Sequence, residues 1–166
     1  MNTIGTDLVL LREQSAAEIE ALLGEEPLPG PENWADGYPL EGTTGGATLV
    51  QRTIEAGTYR PGFGMYQVID RRSGLVVGDI GFHSAPDRRG SVEIGYGLVE
   101  AFRGRGIATN ATRALVKWAL RQPQVTEIRA ETEEDHRQSQ AVLTRSGFVL
   151  VNSDGKTRRY LRVRDG

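Results

Sequence analysis

Apolar and polar residues alternate over 7–13 (DLVLLRE), which predicts a strand. Ser15 followed by Glu18 is a capping-box pair, and it opens a short helix reaching about Leu23. Residues 24–46 carry no periodicity. They hold six Gly and four Pro together with Trp34 and Tyr38, and they read as a long loop. A second helix is predicted over 47–56, with Gly57 as its C-terminal stop. Three strand candidates follow in close succession, over 64–70, 75–83 and 91–99. The connections between them are short, so they form antiparallel hairpins. The period then changes. Ile107, Ala111, Ala114, Leu115 and Trp118 share one face of a helix that runs to about Arg121, where Gln122-Pro123 stops it. Residues 125–132 are a strand again. Asp135 with Gln138 predicts the cap of a further helix, with Ser139, Val142, Leu143 and Ser146 on its inner face. After Gly147 come a strand over 148–152, a turn over 153–156 and a last strand over 157–163.

A strand–helix–strand unit embedded in antiparallel strands argues an α/β fold. The expectation is a mixed, mostly antiparallel central sheet of about seven strands with helices on both faces. There are no internal repeats and no linker, so residues 1–166 are expected to be one domain.

Composition removes whole classes of chemistry. The chain has no cysteine, which excludes disulfides, thiolate metal sites and a cysteine nucleophile. Its two histidines, His83 and His136, argue against a histidine-rich zinc site, and no metal is expected. The net charge of −2 argues against a bulk nucleic-acid binder, and no DNA partner is expected. No apolar run reaches the roughly 20 residues of a membrane span. Residues 1–13 lack the pattern of a signal peptide, so the cytoplasm is the default location. Charge is unevenly spread. Residues 1–50 hold nine acids against the single base Arg12, whereas the remainder is net basic. Two differently charged surfaces without a role, or an acidic part for a cation and a basic part for an anion, both fit that split.

The densest chemistry lies in GLVEAFRGRGIATNATRALVKW, residues 97–118. A strand ends near Val99, a turn holds Arg103-Gly104-Arg105-Gly106-Ile107-Ala108, and a helix opens inside that turn. Two glycines let backbone amides converge, and the first helical turn leaves amides unpaired at the positive end of the macrodipole. Such a nest suits a diphosphate, with Arg103 and Arg105 at its rim. An ordinary helix after a glycine-rich loop is the alternative. The P-loop pattern is absent. A dinucleotide site is disfavoured because Thr109 stands at the third glycine position and hairpins precede the motif.

The stretch EIGYGLVEAFRGRGIAT resembles the acyl-CoA-binding core of the GCN5-related N-acetyltransferase (GNAT) superfamily, with the tight form R-G-x-G-x-A at residues 103–108. HRQSQAVLTRSGF, residues 136–148, is similar to that family's N-x-x-S-x-x-x-L-x-x-x-G-F segment. The phrase V-E-I-G-Y at 92–96 resembles the branch of ribosomal-protein N-acetyltransferases. The resemblance covers residues 64–152 strongly and the N-terminal third only by element order.

This resemblance implies transfer of an acetyl group from acetyl-CoA, as co-substrate, to a primary amine. The acceptor would be a protein N-terminus or a small cationic amine. The partners would be the acyl-CoA and the amine, and dimers are common in that family, although no residues here mark an interface. Leu98 and Val99 would bond the pantetheine arm, and amides from about Arg105 to Ala108 would hold the pyrophosphate. Glu93 would be the general base and Ser139 the acid toward the leaving thiolate. The family's asparagine is here His136, which would contact the cofactor arm. Thr144 stands where many members carry a tyrosine acid, so the tyrosine mechanism is not supported. Trp34 and Tyr38, with Glu32, Asp36 and Glu41 nearby, would either border the acceptor or anchor the loop as two apolar rings. The C-terminal cations Lys156, Arg158, Arg159, Arg162 and Arg164 are either a solvated strand edge or an anion contact. The competing reading is a catalytically silent acyl-CoA-binding module.

Overall fold

The three hairpin-linked strands form the middle of one sheet in a computed structural model of the chain, which describes residues 2–24 and 33–165. The stretch 25–32 of the predicted loop, Glu32 included, lies outside the described residues. The strands are β1 (Thr3–Gly5), β2 (Val9–Glu13), β3 (Met65–Asp70), β4 (Val76–Phe82), β5 (Ser91–Leu98), β6 (Glu127–Glu133), β7 (Val149–Ser153) and β8 (Thr157–Val163). The helices are α1 (Ala16–Leu22), α2 (Thr43–Glu55), α3 (Ile107–Arg121) and α4 (Arg137–Arg145). The sheet runs β1-β2-β3-β4-β5-β6-β8-β7. All pairs are antiparallel except β5 with β6, which α3 connects.

Eight strands stand where seven were expected. The extra one, β1, has three residues with no buried face, too short for periodicity to reveal. Helix α2 starts at Thr43, four residues before the predicted start at Ala47, inside the predicted loop. Thr43 is buried, donates its hydroxyl to Asp79 Oδ2 at 2.7 Å and accepts from the Leu40 amide at 2.9 Å. The long-range bond to Asp79 draws the glycine-rich TTGG into a first turn that its propensity disfavours. The Ser15–Glu18 capping box forms as predicted. The Asp135–Gln138 box does not, because α4 starts from His136 without a side-chain cap.

Helices cover both faces. Ile19, Ala47, Val50 and Met65 pack together under α1 and α2. On the opposite face α3 lays Ile107, Ala111, Leu115 and Ala119 into the larger core with Val68, Ile80, Phe82 and Ile94. Trp118 joins that core edge-on to Phe63, with ring centroids 5.0 Å apart. The two-residue period of β4 and β5 therefore sorts their side chains. Asp79, Gly81, His83, Glu93, Gly95 and Gly97 face α2, while Ile80, Phe82, Ile94 and Tyr96 face α3 and α4. Among the described residues no helix is long and apolar enough to cross a membrane.

Candidate active site

The site grows from the place where β5 parts from β6. Their parallel ladder covers only Ser91, Val92 and Glu93. Residues beyond Glu93 stay paired with β4 alone. The Glu93 carbonyl accepts from the His83 amide at 3.0 Å, and the Val99 amide donates to the Val77 carbonyl at 2.8 Å. Main-chain groups alternate sides along a strand. Those of Tyr96 and Leu98 consequently face away from β4, into the gap that β6 has left. Val99 does not share this freedom. Its amide is taken by Val77 and its carbonyl by the Phe102 amide, so Val99, expected to contact a pantetheine arm, turns no free main-chain group into the gap.

A groove of about 510 Å³ lies beside this gap on the α3 and α4 face. One wall is the turn Gly104, Gly106, Ile107, Ala108 and Thr109; the other is α4, with His136, Arg137, Ser139 and Arg145. Gly104 and Gly106 have φ of +75° and +80°, a region that glycine enters freely and that side chains strain. Gly106 is the N-cap of α3, so the first-turn amides point into the groove mouth with no side chain capping them. Arg103 lines the groove and donates from Nε to the Leu98 carbonyl at 3.2 Å. Arg105 does not line it; its guanidinium stacks 4.7 Å from the Phe102 ring centroid. The charge expected from Arg105 is supplied instead by Arg137 and Arg145, which sequence reasoning missed because they come from α4. A groove with unpaired amides at one end and arginines along one side fits a diphosphate.

A second cavity, of about 480 Å³, lies on the α2 face. It shares Tyr96, Gly97, Leu98, Arg103 and His136 with the groove, so the two spaces meet across β5. Its floor is the glycine face of the sheet, Gly81, Gly95 and Gly97, and its roof is Leu40, Gly42, Gly45 and Gly46. Asp79 and Glu41 are its carboxyl groups, with Arg103 in the same lining. Asp79 is 7% exposed, and burial pushes its pKa above the usual carboxylate value despite the Thr43 donor. At the far end stands His83, whose Nδ1 is 3.1 Å from Glu93 Oε2. Glu93 lines neither space. Its hydrogen bond to His83 holds its pKa below the usual value, helped by Arg129 at 3.8 Å.

Ser139 sits on the groove side of the junction, with Oγ 2.8 Å from the Tyr96 hydroxyl; either oxygen can donate. Burial raises the Tyr96 pKa, so the phenol keeps its proton. Thr144 is exposed and bonds its own helix at the Gln140 carbonyl. A tyrosine hydroxyl thus reaches the groove from β5 rather than from α4, which the one-dimensional motif did not show.

Trp34 and Tyr38 were expected at the acceptor, but neither lines the cavity. Trp34 bridges to Val76 and meets Tyr38 edge-on at 5.2 Å, and Tyr38 is buried in the core. From the same loop it is Leu40, Glu41 and Gly42 that reach the cavity. The C-terminal cations are largely committed elsewhere. Arg158 pairs with Glu134, Arg159 with Glu131 and Asp154, and Arg164 donates to the Gln122 and Val125 carbonyls. None of them lines either space, which favours the solvated-edge reading.

Comparison with known proteins agrees with this geometry. Residues 9–149 match the family model described as an acetyltransferase (GNAT) domain. The uncharacterized N-acetyltransferase YjdG of Bacillus subtilis (strain 168) is 30% identical over 102 residues, which are 61% of this chain and 61% of that protein. The chain thus aligns with only about three fifths of that relative's length. Among solved structures, an acetyltransferase from Agrobacterium tumefaciens str. C58 superposes with a TM-score of 0.66 at 24% identity, covering 98% of this chain and 94% of that one. RimL, a ribosomal L7/L12 alpha-N-protein acetyltransferase in complex with coenzyme A, superposes with a TM-score of 0.69 at 21% identity over 98% of both chains. A sheet that opens beside a turn with two left-handed glycines, and a family model that matches residues 9–149, lead to one assignment: the chain belongs to the GNAT family of acetyltransferases.

Proposed function

We propose that the protein transfers an acetyl group from acetyl-CoA to a primary amine that enters as a cation, by direct attack of the amine on the thioester. The observation that carries this reading is the meeting of two cavities across β5. One ends in an anion nest, the other holds the carboxyl groups of Glu41 and Asp79, and the free main-chain groups of Tyr96 with the free Leu98 amide lie between them. The first-turn amides of α3, with Arg137 and Arg145, would hold the diphosphate. Tyr96 and Leu98 would bond the pantetheine arm, and a main-chain amide there would stabilise the oxyanion. RimL, whose structure holds coenzyme A and whose named target is a protein α-amine, supports both halves of the reading. A protein N-terminus and a small cationic amine are the two acceptor classes.

Asp79 supports a cationic acceptor. Its raised pKa means that the ionised form is disfavoured in the folded state. The sign follows from linkage: no penalty exists below the unfolded value of about 3.9, and it grows until pH has passed the folded value. A carboxylate that weakens the fold at neutral pH and faces a cavity fits a role in binding. Asp79→Asn is expected to raise the melting temperature and to raise KM for the amine about tenfold, equivalent to ~1.4 kcal/mol. Thermal melts and initial rates check both halves.

On the other side, the Tyr96 and Ser139 hydroxyls would donate to the departing thiolate. Tyr96→Phe is expected to lower kcat by roughly tenfold to a hundredfold while leaving acetyl-CoA affinity unchanged. Equal kcat in the variant removes the phenol from the mechanism.

The absence of cysteine makes the primary test clean, since a thiol dye then reads only released CoA. Acetyl-CoA is incubated with a panel of N-terminal peptides and a panel of small amines. CoA release matched by N-acetylated product is the expected result. Acetyl-CoA binding without acetylation of either panel favours the silent binding module.

A further inference from the structure

Glu93 does not reach the acceptor cavity, but a histidine that it holds does. His83 follows β4 and faces Glu93 of β5 across the hairpin between them. The His83 amide donates to the Glu93 carbonyl at 3.0 Å, and Nδ1 lies 3.1 Å from Glu93 Oε2. The carboxylate is pinned from its other oxygen by Arg129 Nη1 at 3.8 Å. An ionised carboxylate accepts only, so the neutral ring carries its proton on Nδ1 and keeps the Nε2 lone pair free. That nitrogen lies over Gly95. A Cβ built there would be 3.1 Å from Nε2, so glycine is what leaves the ring its place on the cavity floor.

We propose that His83 is the general base of the transfer, and that Glu93 is a positioning residue which fixes the ring's tautomer and orientation. This rests on the acetyl-transfer reading above. The amine reaches the cavity as an ammonium ion and gives one proton to solvent water to become nucleophilic. Its nitrogen then bonds to the thioester carbonyl carbon, the carbon–sulfur bond breaks, and the remaining excess proton passes to His83 Nε2. The electron pair of the broken bond leaves on sulfur, which takes a proton from the hydroxyls on the groove side. His83, 40% exposed at its side chain, returns its proton to solvent, and solvent restores the proton given up by the groove hydroxyl, so that amine and acetyl-CoA give amide and CoA. The lowered pKa of Glu93 is consistent with this division of labour, since a carboxylate held ionised is a weak base. The charged and titratable groups facing His83 are Glu93 on β5 and, behind it, Arg129 on β6. Across the cavity they are Glu41, Asp79, Arg103 and His136, with Tyr96 at its mouth.

The test combines kinetics with the proton resonances of the two histidine rings, His83 being assigned by its loss in His83→Gln. With acetyl-CoA and an amine from the panels that the wild type acetylates, His83→Gln is expected to lower kcat about a hundredfold or more. Its acetyl-CoA affinity and melting temperature should stay near the wild-type values. His83→Ala should regain turnover when imidazole is added. Glu93→Gln replaces an acceptor-only group with an amide that can accept or donate at Nδ1, so the His83 ring resonances should shift toward a mixture of tautomers and kcat should fall with acetyl-CoA affinity unchanged. A purely structural Glu93 would move neither. Wild-type turnover by His83→Gln, or unmoved His83 ring resonances in Glu93→Gln, overturns the base assignment alone. A wild type that binds acetyl-CoA and acetylates no amine overturns the transfer reading and the base assignment with it.

Discussion

Gly106→Asp is expected to weaken acetyl-CoA binding by at least a hundredfold, or about 2.7 kcal/mol. Gly106 caps α3 at φ +80°, and a Cβ there would meet no atom within 4 Å. Aspartate is one of the few side-chain-bearing residues that tolerates this conformation, and it is a favoured N-cap. The helix should therefore form as before, with the new carboxylate lying on the amides proposed for the diphosphate. Two like charges brought together at such a site cost several kcal/mol. Gly106→Asn separates charge from shape. It has similar backbone tolerance and no charge, and it should lose only about fivefold, near 1 kcal/mol. Isothermal titration with acetyl-CoA reads both variants. Wild-type affinity in the aspartate variant would mean that the diphosphate is not held at this turn.

The second large effect concerns stability. Glu13 is 1% exposed and is the hub of the turn before β3. Its carboxylate accepts from the Gly62 amide at 2.9 and 3.0 Å, the Gly64 amide at 3.1 Å and the Tyr59 hydroxyl at 3.0 Å. Burial, and then the Glu13 charge, push the Tyr59 pKa far above the ordinary tyrosine value, so this phenol remains a donor. Glu13→Ala would leave two buried amides and a half-buried phenol without their acceptor. The expected loss is about 3 kcal/mol. For a chain of this size that lowers the melting temperature by roughly 10 °C. Glu13→Gln keeps the shape but replaces one acceptor oxygen with a donor, and it should fall between. An alanine variant that melts like the wild type would remove Glu13 from the account of stability. The effect would reach the candidate site as well, because Met65, next to Gly64, lines the cavity on the α2 face.

What could be read from the chain was what the chain holds locally. The diglycine turn and the apolar stripe of α3 lie within sixteen residues of one another, so their chemistry is written in order. The hairpins of β3, β4 and β5 likewise declared themselves by short connections. The site's other half depends on register. His83 and Glu93 are brought together by the β4–β5 ladder, and Tyr96 and Ser139 by the docking of α4, 43 residues away. Neither pairing has a one-dimensional signature. Helix α2 begins early because Thr43 is bound to Asp79 on a distant strand. Trp34 and Tyr38 were open to two readings, because aromatic rings in a Gly/Pro-rich loop suit a binding surface or an anchor; here they fasten that loop to β4 and the core.

Direct transfer between two cavities that meet at β5 requires both substrates on the protein at once. Initial rates over a matrix of acetyl-CoA and amine concentrations test this most directly. Intersecting double-reciprocal lines, with no acetylated protein in the intact mass after incubation with acetyl-CoA alone, are the expected result. Parallel lines accompanied by an acetyl-enzyme would mean a ping-pong route through a nucleophile of the protein, and would contradict the account.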